Sequence, residues 1–188
     1  IYLYDYRGFG LSGGRSTPQN AIDDFSAVID TVTQRRFESQ NGVVVFGQSL
    51  GAALAIAAVH QAKDNYPIKG VVLDSPFSNF RGIAKEKLEE LRTPRVISSL
   101  LTLSIPEKPD LTQMIGELSP LPVLLFHGGQ DRIVPSAHTI RIFEAAGSTA
   151  NLWIEPDAGH IASLRNPALR DYFVEFLDKA FESKVAAD

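Results

Sequence analysis

The apolar residues of this chain follow two patterns, short continuous runs and longer stretches with helical spacing. Runs rich in β-branched and aromatic residues are typical of buried strands, and they occur at 1–4, 43–46, 70–74, 122–126 and 151–154. Helical patterns follow at 18 to about 37, 52–60, 137–146 and from 167 onward. Strands that are apolar on both sides and alternate with helices predict an α/β fold, a mostly parallel sheet covered by helices on both faces.

One stretch interrupts this alternation. Residues from Ser75 to about Leu121 carry scattered apolar side chains and prolines at 76, 94, 106, 109 and 120. Such irregularity favours short helices over another regular strand–helix unit. We therefore predict a small lid or cap insertion over about 76–120, within a single domain that spans 1–188.

Composition and charge narrow the class of protein. The 188 residues suffice for one domain with a sizeable core, and the hydrophobic and charged fractions are ordinary for a soluble globular protein. A net charge of −4 without a Lys/Arg cluster argues against a nucleic-acid partner. The absence of cysteine excludes disulfides, zinc–thiolate sites and a cysteine nucleophile. No apolar stretch approaches the roughly 18 residues of a spanning helix. Compartment, membrane association and oligomeric state stay open.

The most informative motif is Gly-x-Ser-x-Gly at residues 47–51. It lies between the predicted strand at 43–46 and a helix that begins with small residues. A strand that turns sharply into a helix at a serine holds the hydroxyl at the strand's carboxyl end, as a nucleophile elbow does. We expect Gly47 and Gly51 to be there because a Cβ at either position would collide with the crossing helix and strand.

A serine hydroxyl needs a base to accept its proton and a group to orient that base. His160 is the favoured base, since it follows the last strand and Gly159 lets the loop bring the ring back to the sheet's carboxyl edge. His127 ends a strand, and we expect it to be structural. His60 and His138 fall on helices and are expected to face solvent.

Three acids compete to orient the base. Asp131 lies just beyond a strand's carboxyl end, behind two glycines, and is favoured. Asp74 ends the preceding strand at the same edge and is the alternative. Asp157 lies only three residues before His160, where an extended loop rarely lets a carboxylate meet the ring side-on.

These motifs resemble the α/β-hydrolase superfamily. The matching regions are 47–51, 127–135 and 158–160, and their order, Ser then Asp then His, is the one expected of that fold. Residues 5–12 also resemble the loop after the family's fourth strand. The resemblance covers nearly the whole sequence and is nearest to short-lidded esterase, lipase and thioesterase-like members.

The resemblance implies a serine hydrolase. Ser49 would attack a carbonyl, His160 would take and return the proton, and Asp131 would fix the imidazole tautomer. The backbone N–H of Leu50 would be one donor of the oxyanion hole. The implied substrate is a small-molecule acyl ester or thioester, and no cofactor is implied because the mechanism needs none. A peptidase or amidase, and a non-catalytic binding protein of the same fold, are the alternatives.

The sequence departs from the family's pattern at its N-terminus. The family's first three strands, and the loop that supplies the second oxyanion donor, have no counterpart here. The chain opens at Ile1 inside an apolar run, and the family's strand order would leave 1–4 and 43–46 on either side of a gap. We therefore expect an N-terminally incomplete fold, the C-terminal portion of a longer hydrolase.

Overall fold

The computed structural model describes residues 1–34, 42–93, 97, 101–103, 105 and 109–182. The strands in this part of the chain are β1 (Val43–Gln48), β2 (Ile68–Asp74), β3 (Val123–Gly128) and β4 (Ala150–Glu155). The helices with described bounds are α1 (Pro18–Thr33), α2 (Leu50–Ala62), α3 (Phe80–Glu90), α4 (Leu111–Gly116), α5 (Ser136–Ala146) and α6 (Pro167–Glu182). Short 3₁₀ turns cover Gly147–Thr149 and Ser163–Arg165.

The strands form one parallel sheet in the order β1-β2-β3-β4. The predicted α/β architecture is therefore confirmed, and four of the predicted strands lie within a few residues of the observed ones. Because parallel strands all end at the same edge, the loops that carry Ser49, Asp131 and His160 emerge on one side of the sheet.

Successive side chains of each strand point to opposite faces of the sheet and so belong to two separate hydrophobic cores. Val45, Leu73 and Leu125 belong to the larger core, which packs against α1, α2, α4 and α5. Val72 and Phe126 point to the opposite face, where α6 covers them. Helices on both faces explain why the strands are continuously apolar.

Helix α1 begins where the sequence predicts. Thr17 is its N-cap, with Oγ1 accepting the N–H of Asn20 at 3.1 Å, and Pro18 occupies the first turn. The helix ends at Thr33, before the predicted end near Phe37. Phe37 itself lies outside the described residues.

The predicted strand at residues 1–4 is wrong. These residues form no strand, and the side chains of Ile1 and Leu3 are fully exposed. A strand needs a hydrogen-bonding neighbour, and within the described residues β1 pairs with β2 alone. Tyr4 is nevertheless anchored, because its ring packs edge-on against Phe25 of α1 at 5.8 Å.

The predicted lid region contains two helices with described bounds. Helix α3 buries none of its residues, whereas α4 buries Leu111 and Ile115 in the larger core. Positions 94–96, 98–100, 104 and 106–108 lie outside the described residues, so the lid stays a prediction. Among the helices described, none is both long and apolar enough to cross a membrane.

Candidate active site

Ser49 occupies the turn between β1 and α2 in a strained backbone conformation, with φ 51° and ψ −117°. Its N–H donates to the carbonyl of Asp74 at 2.8 Å, and its own carbonyl accepts the N–H groups of Ala52 and Ala53. These bonds fix the serine backbone from the neighbouring strand and from the following helix. The residue is half-buried at the carboxyl end of β1.

The two glycines of the motif have different environments. A Cβ on Gly47 would overlap the carbonyl of Gly51 and lie 2.7 Å from the Cα of Ala52, which confirms its steric role. A Cβ on Gly51 would meet no heavy atom within 4 Å in the described part of the chain. The predicted collision at Gly51 is therefore wrong, because that face of the first helical turn is open.

The backbone N–H of Leu50 is the first of α2. It donates to no acceptor among the described residues. The first N–H groups of a helix have no intrahelical partner, and they carry the positive end of the helix dipole. Such a group can donate to an anionic oxygen.

His160 and Asp131 form a hydrogen-bonded pair, with Nδ1 of the ring 2.7 Å from Oδ2 of the carboxylate. The other oxygen, Oδ1, accepts the N–H groups of Ile133 and Val134 at 2.7 and 2.9 Å. Burial opposes ionisation of this carboxyl, but the bonds from His160 and from the two backbone groups outweigh it and lower the pKa of Asp131. An ionised carboxylate only accepts hydrogen bonds, so Nδ1 of His160 carries a proton and donates it to Asp131.

Glycines bring these two residues together. A Cβ on Gly128 would overlap the carbonyl oxygen of Gly159, and a Cβ on Gly129 would lie 2.7 Å from a backbone oxygen of the loop after β4. The loops after β3 and β4 therefore pack backbone against backbone. This close approach places Asp131 of one loop beside His160 of the other.

Asp74 shares this edge of the sheet but has different partners. Its carboxylate accepts Nε2 of Gln48 at 2.9 Å and the hydroxyl of Ser75 at 3.0 Å. Burial raises the pKa of Asp74, and the two hydrogen bonds lower it only in part. Of the two carboxylates, Asp131 is the one that makes the hydrogen bond to His160. The third alternative, Asp157, is exposed.

Among the described residues, no hydrogen bond connects the Ser49 side chain to His160 or Asp131. Both Ser49 and His160 are partly accessible, with 14% of the histidine side chain exposed. Bonds between a nucleophile and its base often tighten only in the substrate complex.

His127 is buried behind the pair, as expected of a structural histidine. Nε2 lies 2.9 Å from the carbonyl of Val134, and Nδ1 lies 2.6 Å from Oγ1 of Thr139. Burial is the main cause that lowers the pKa of His127, so the ring is neutral. Because a carbonyl only accepts, Nε2 carries the ring proton.

His138 is not solvent-facing, and that prediction is wrong. The ring is buried in α5, and Nδ1 accepts the N–H of Ser78 at 3.1 Å with the serine Oγ at 2.8 Å. Nε2 lies 3.0 Å from Oε2 of Glu86 in α3. Ser78 and Glu86 come from more than 50 positions earlier in the chain, so helical spacing around His138 gives no sign of them. His60 is partly exposed, as expected, and lies 2.6 Å from Glu117.

Sequence reasoning missed a group of strained residues at this edge. Within the described residues, positive φ angles outside glycine occur at Ser49, Ser75, Ile161 and Arg92. The first three follow β1, β2 and His160, so strain concentrates around the candidate site. For a branched residue such as Ile161 this conformation is unusual, and the sequence carries no signal for it.

Comparison with known proteins places the chain in a family. The model of the prolyl oligopeptidase family matches residues 7–184. The protein YfhR of Escherichia coli O157:H7 is 30% identical over 180 residues, which cover 94% of this chain and 60% of YfhR. Human alpha/beta hydrolase domain-containing protein 17B is 26% identical over 161 residues, with coverage of 85% and 50%. The chain thus spans half to three fifths of the length of these relatives.

Solved structures agree on the fold. The esterase Pf2001 of Pyrococcus furiosus aligns with a TM-score of 0.71 at 22% identity, over 93% of this chain and 68% of the esterase. The meta-cleavage product hydrolase CumD of Pseudomonas fluorescens IP01 aligns with a TM-score of 0.63 at 17% identity, over 94% and 78%. With this fold and a family match over nearly its whole length, the chain belongs to the prolyl oligopeptidase family of the α/β-hydrolase superfamily.

Proposed function

We propose that this protein is a serine hydrolase that cleaves a small-molecule acyl ester or thioester, with Ser49, His160 and Asp131 as its triad. The observation that carries the proposal is the 2.7 Å bond between His160 Nδ1 and the buried, ionised Asp131. That bond leaves Nε2 free to accept a proton at the edge of the sheet where Ser49 is held in a strained turn.

In the proposed acylation, Ser49 Oγ attacks the carbonyl carbon while His160 Nε2 takes the hydroxyl proton. The N–H of Leu50 donates to the oxygen that becomes negative, a role worth about 3 kcal/mol for a single donor. The imidazolium, stabilised by Asp131, then protonates the departing alcohol or thiol. The products of this step are an acyl-enzyme and the free leaving group.

Deacylation repeats these steps with water. His160 accepts a proton from the water molecule as its oxygen attacks the acyl carbon, and Leu50 again donates to the developing anion. Collapse of this second intermediate returns the proton to Ser49 Oγ and releases the carboxylic acid.

A peptidase or amidase of the same mechanism is the second candidate. The family match to the prolyl oligopeptidases favours it, since that family is named for peptide cleavage. The likeness to the P. furiosus esterase favours the ester reading. Comparing p-nitrophenyl acyl esters with aminoacyl p-nitroanilides at equal concentrations separates the two, and faster anilide cleavage would replace the first candidate with the second.

A fluorophosphonate probe tests the nucleophile directly. The full chain is incubated with the probe, digested, and the adduct is mapped by mass spectrometry. We expect a single adduct on Ser49 that disappears in Ser49→Ala. If the full-length protein takes up no probe at Ser49, the proposal is refuted and the non-catalytic alternative remains.

Ser78 offers a matched control for this experiment. It also lies beside a histidine that contacts a carboxylate, but its side chain is buried, so the probe cannot reach it. Ser78→Ala should therefore be labelled at Ser49 to the same extent as the unaltered protein. Labelling at Ser78 would show that the wrong serine had been assigned.

A further inference from the structure

The loop that carries His160 connects β4 to α6. It spans residues 156–166, between Glu155, the last residue of β4, and Pro167, the first residue of α6. His160 lies near the middle of the loop, so the position of its ring depends on how both ends are held. The two ends are joined directly, by a side-chain contact between Glu155 and Asn166.

This contact is a hydrogen bond between an amide and a carboxylate, and both residues are half-buried. Nδ2 of Asn166 donates to Oε2 of Glu155 at 2.5 Å, while Oδ1 of the same amide accepts the N–H of Ala168 at 2.9 Å and so caps α6. Oε2 of Glu155 also accepts the indole N–H of Trp153 at 3.3 Å. Trp153 in turn packs against Tyr172 of α6, with ring centroids 5.8 Å apart. The carboxylate of Glu155 therefore links the end of β4 to the start of α6.

The two halves of the loop are bonded to different parts of the molecule. The first half is tied to the loop after β3, because the carbonyl of Ala158 accepts the N–H of Gln130 at 2.8 Å. The second half is tied to α6, because Nη1 of Arg170 donates to the carbonyls of residues 164 and 165 at 3.0 Å each. His160 lies between these halves. A shift of α6 relative to β4 would therefore displace the histidine.

The backbone beside His160 is strained and needs such support. Ile161 has a φ of 48°, a left-handed conformation that is unfavourable for a branched residue. Strained conformations persist only where the surrounding structure enforces them. The bond between Glu155 and Asn166 supplies a constraint of this kind, because it fixes the distance that residues 156–166 must span.

Apolar contacts attach α6 to the sheet independently of this bond. Leu169 and Phe176 of α6 are buried in the core that also contains Val72 and Phe126. Removing one half-buried polar contact should therefore leave the helix in place. The effect of its removal should appear in the geometry of the His160 loop.

We propose, on the basis of the proposed function, that Glu155 and Asn166 are positioning residues whose bond holds His160 within reach of both Ser49 and Asp131. Neither residue touches the substrate in this scheme. Their bond closes the loop, and the closed loop sets the place of the imidazole. Proton transfer depends steeply on such placement, since a displacement of about 1 Å can cost about 10²-fold in rate.

Asn166→Asp in the full-length protein breaks the bond while keeping the cap of α6. The new carboxylate can still accept the N–H of Ala168, and aspartate is a favoured residue at a helix N-cap. Its second oxygen faces the carboxylate of Glu155, and the two groups repel each other. We expect kcat for p-nitrophenyl acetate to fall about 10²-fold, with KM and the midpoint of thermal unfolding close to those of the unaltered protein.

Adding Glu155→Gln to Asn166→Asp exchanges the donor and the acceptor. The new amide can donate to the new carboxylate, so the double variant should regain most of the lost kcat. Gln19→Glu is the matched control, because Nε2 of Gln19 also donates to a carboxylate oxygen, Oδ1 of Asp23 at 2.9 Å, but on the exposed surface of α1. Its kcat should stay unchanged. Midpoints of unfolding that fall in step with kcat across these variants would show a merely structural role and overturn the proposal.

Proton NMR gives a readout that does not need catalysis. The Nδ1 proton of His160, in its 2.7 Å bond to Asp131, should give a resonance far downfield that Asn166→Asp shifts and the double variant restores. If esters are cleaved and Asn166→Asp leaves kcat unchanged, the positioning role is overturned and the hydrolase proposal stands. If the unaltered protein cleaves no ester, the hydrolase proposal fails and the resonance decides. An unchanged signal in Asn166→Asp then overturns the positioning role, and a shift that the double variant reverses supports it.

Discussion

Replacing Asp131 with asparagine should nearly abolish the activity while leaving the fold intact. Oδ1 of Asp131 accepts two backbone N–H groups, from Ile133 and Val134. The oxygen of the new amide must take that place, so its NH₂ group takes the place of Oδ2 and faces His160. Two donors cannot share one bond, and Nδ1 must give up its proton. The ring proton then moves to Nε2, which can no longer accept the proton of Ser49.

The expected loss in kcat/KM depends on how much free energy the protein would need to avoid this tautomer. Turning the amide over would leave two backbone N–H groups without an acceptor, at about 1–3 kcal/mol each, or about 2–6 kcal/mol in total. A wrong tautomer of this kind costs about 10⁴-fold in kcat, equal to about 5.4 kcal/mol, in a well-studied serine protease. We expect a loss of about 10⁴-fold in kcat/KM for Asp131→Asn.

Asp74→Asn is the matched control in the same assay. Gln48 can still donate to the amide oxygen, and the hydroxyl of Ser75 can rotate to accept from the NH₂ group. We expect less than a tenfold loss of ester hydrolysis, with thermal unfolding of both variants close to that of the unaltered protein. If Asp74→Asn costs more than Asp131→Asn, the assignment of the acid is wrong.

Two further predictions concern stability, measured by urea unfolding. Gly47→Ala should lower the free energy of unfolding by about 2–3 kcal/mol, because the new Cβ overlaps backbone atoms. Gly51→Ala should raise it by about 0.5–1 kcal/mol, because the new Cβ enters open space within a helix. Equal effects would contradict this reading of the turn. The buried His127 should make the free energy of unfolding fall as the pH drops below about 6.5. Burial lowers the pKa of His127 in the folded protein, so below that pH the unfolded chain binds a proton that the folded chain does not. The expected slope is at most about 1.4 kcal/mol per pH unit. His127→Gln should flatten that slope, and an unchanged slope would refute the explanation.

The sequence predicts the candidate site best where a reactive residue type stands at a position that also needs a particular backbone conformation. Ser49 could be found because its turn needs a glycine at position 47 and a buried strand before it, and both are visible in a short window. Asp131 and His160 could be paired because parallel strands end at one edge and each residue follows such an end. The family match later agreed with the fold these patterns predicted.

The predictions that failed depend on contacts between distant segments. His138 has the spacing of a surface helix, but Ser78 and Glu86 bury it from another part of the chain. Residues 1–4 have strand composition, yet composition cannot supply the neighbour that a strand needs. The motif predicts that Gly51 is as crowded as Gly47, but in the structure only a Cβ on Gly47 would meet neighbouring atoms.

The close packing of the loops after β3 and β4 has a consequence for how this sequence can change. Gly128 and Gly129 leave no room for a side chain against the backbone of the loop after β4, so the two loops cannot be reshaped independently of each other. Asp131 and His160 are therefore held against each other by the paired strands β3 and β4. Under the proposed function, substitutions in the loop at residues 5–14 or in α3 can change the substrate preference while the bond between Asp131 and His160 stays the same.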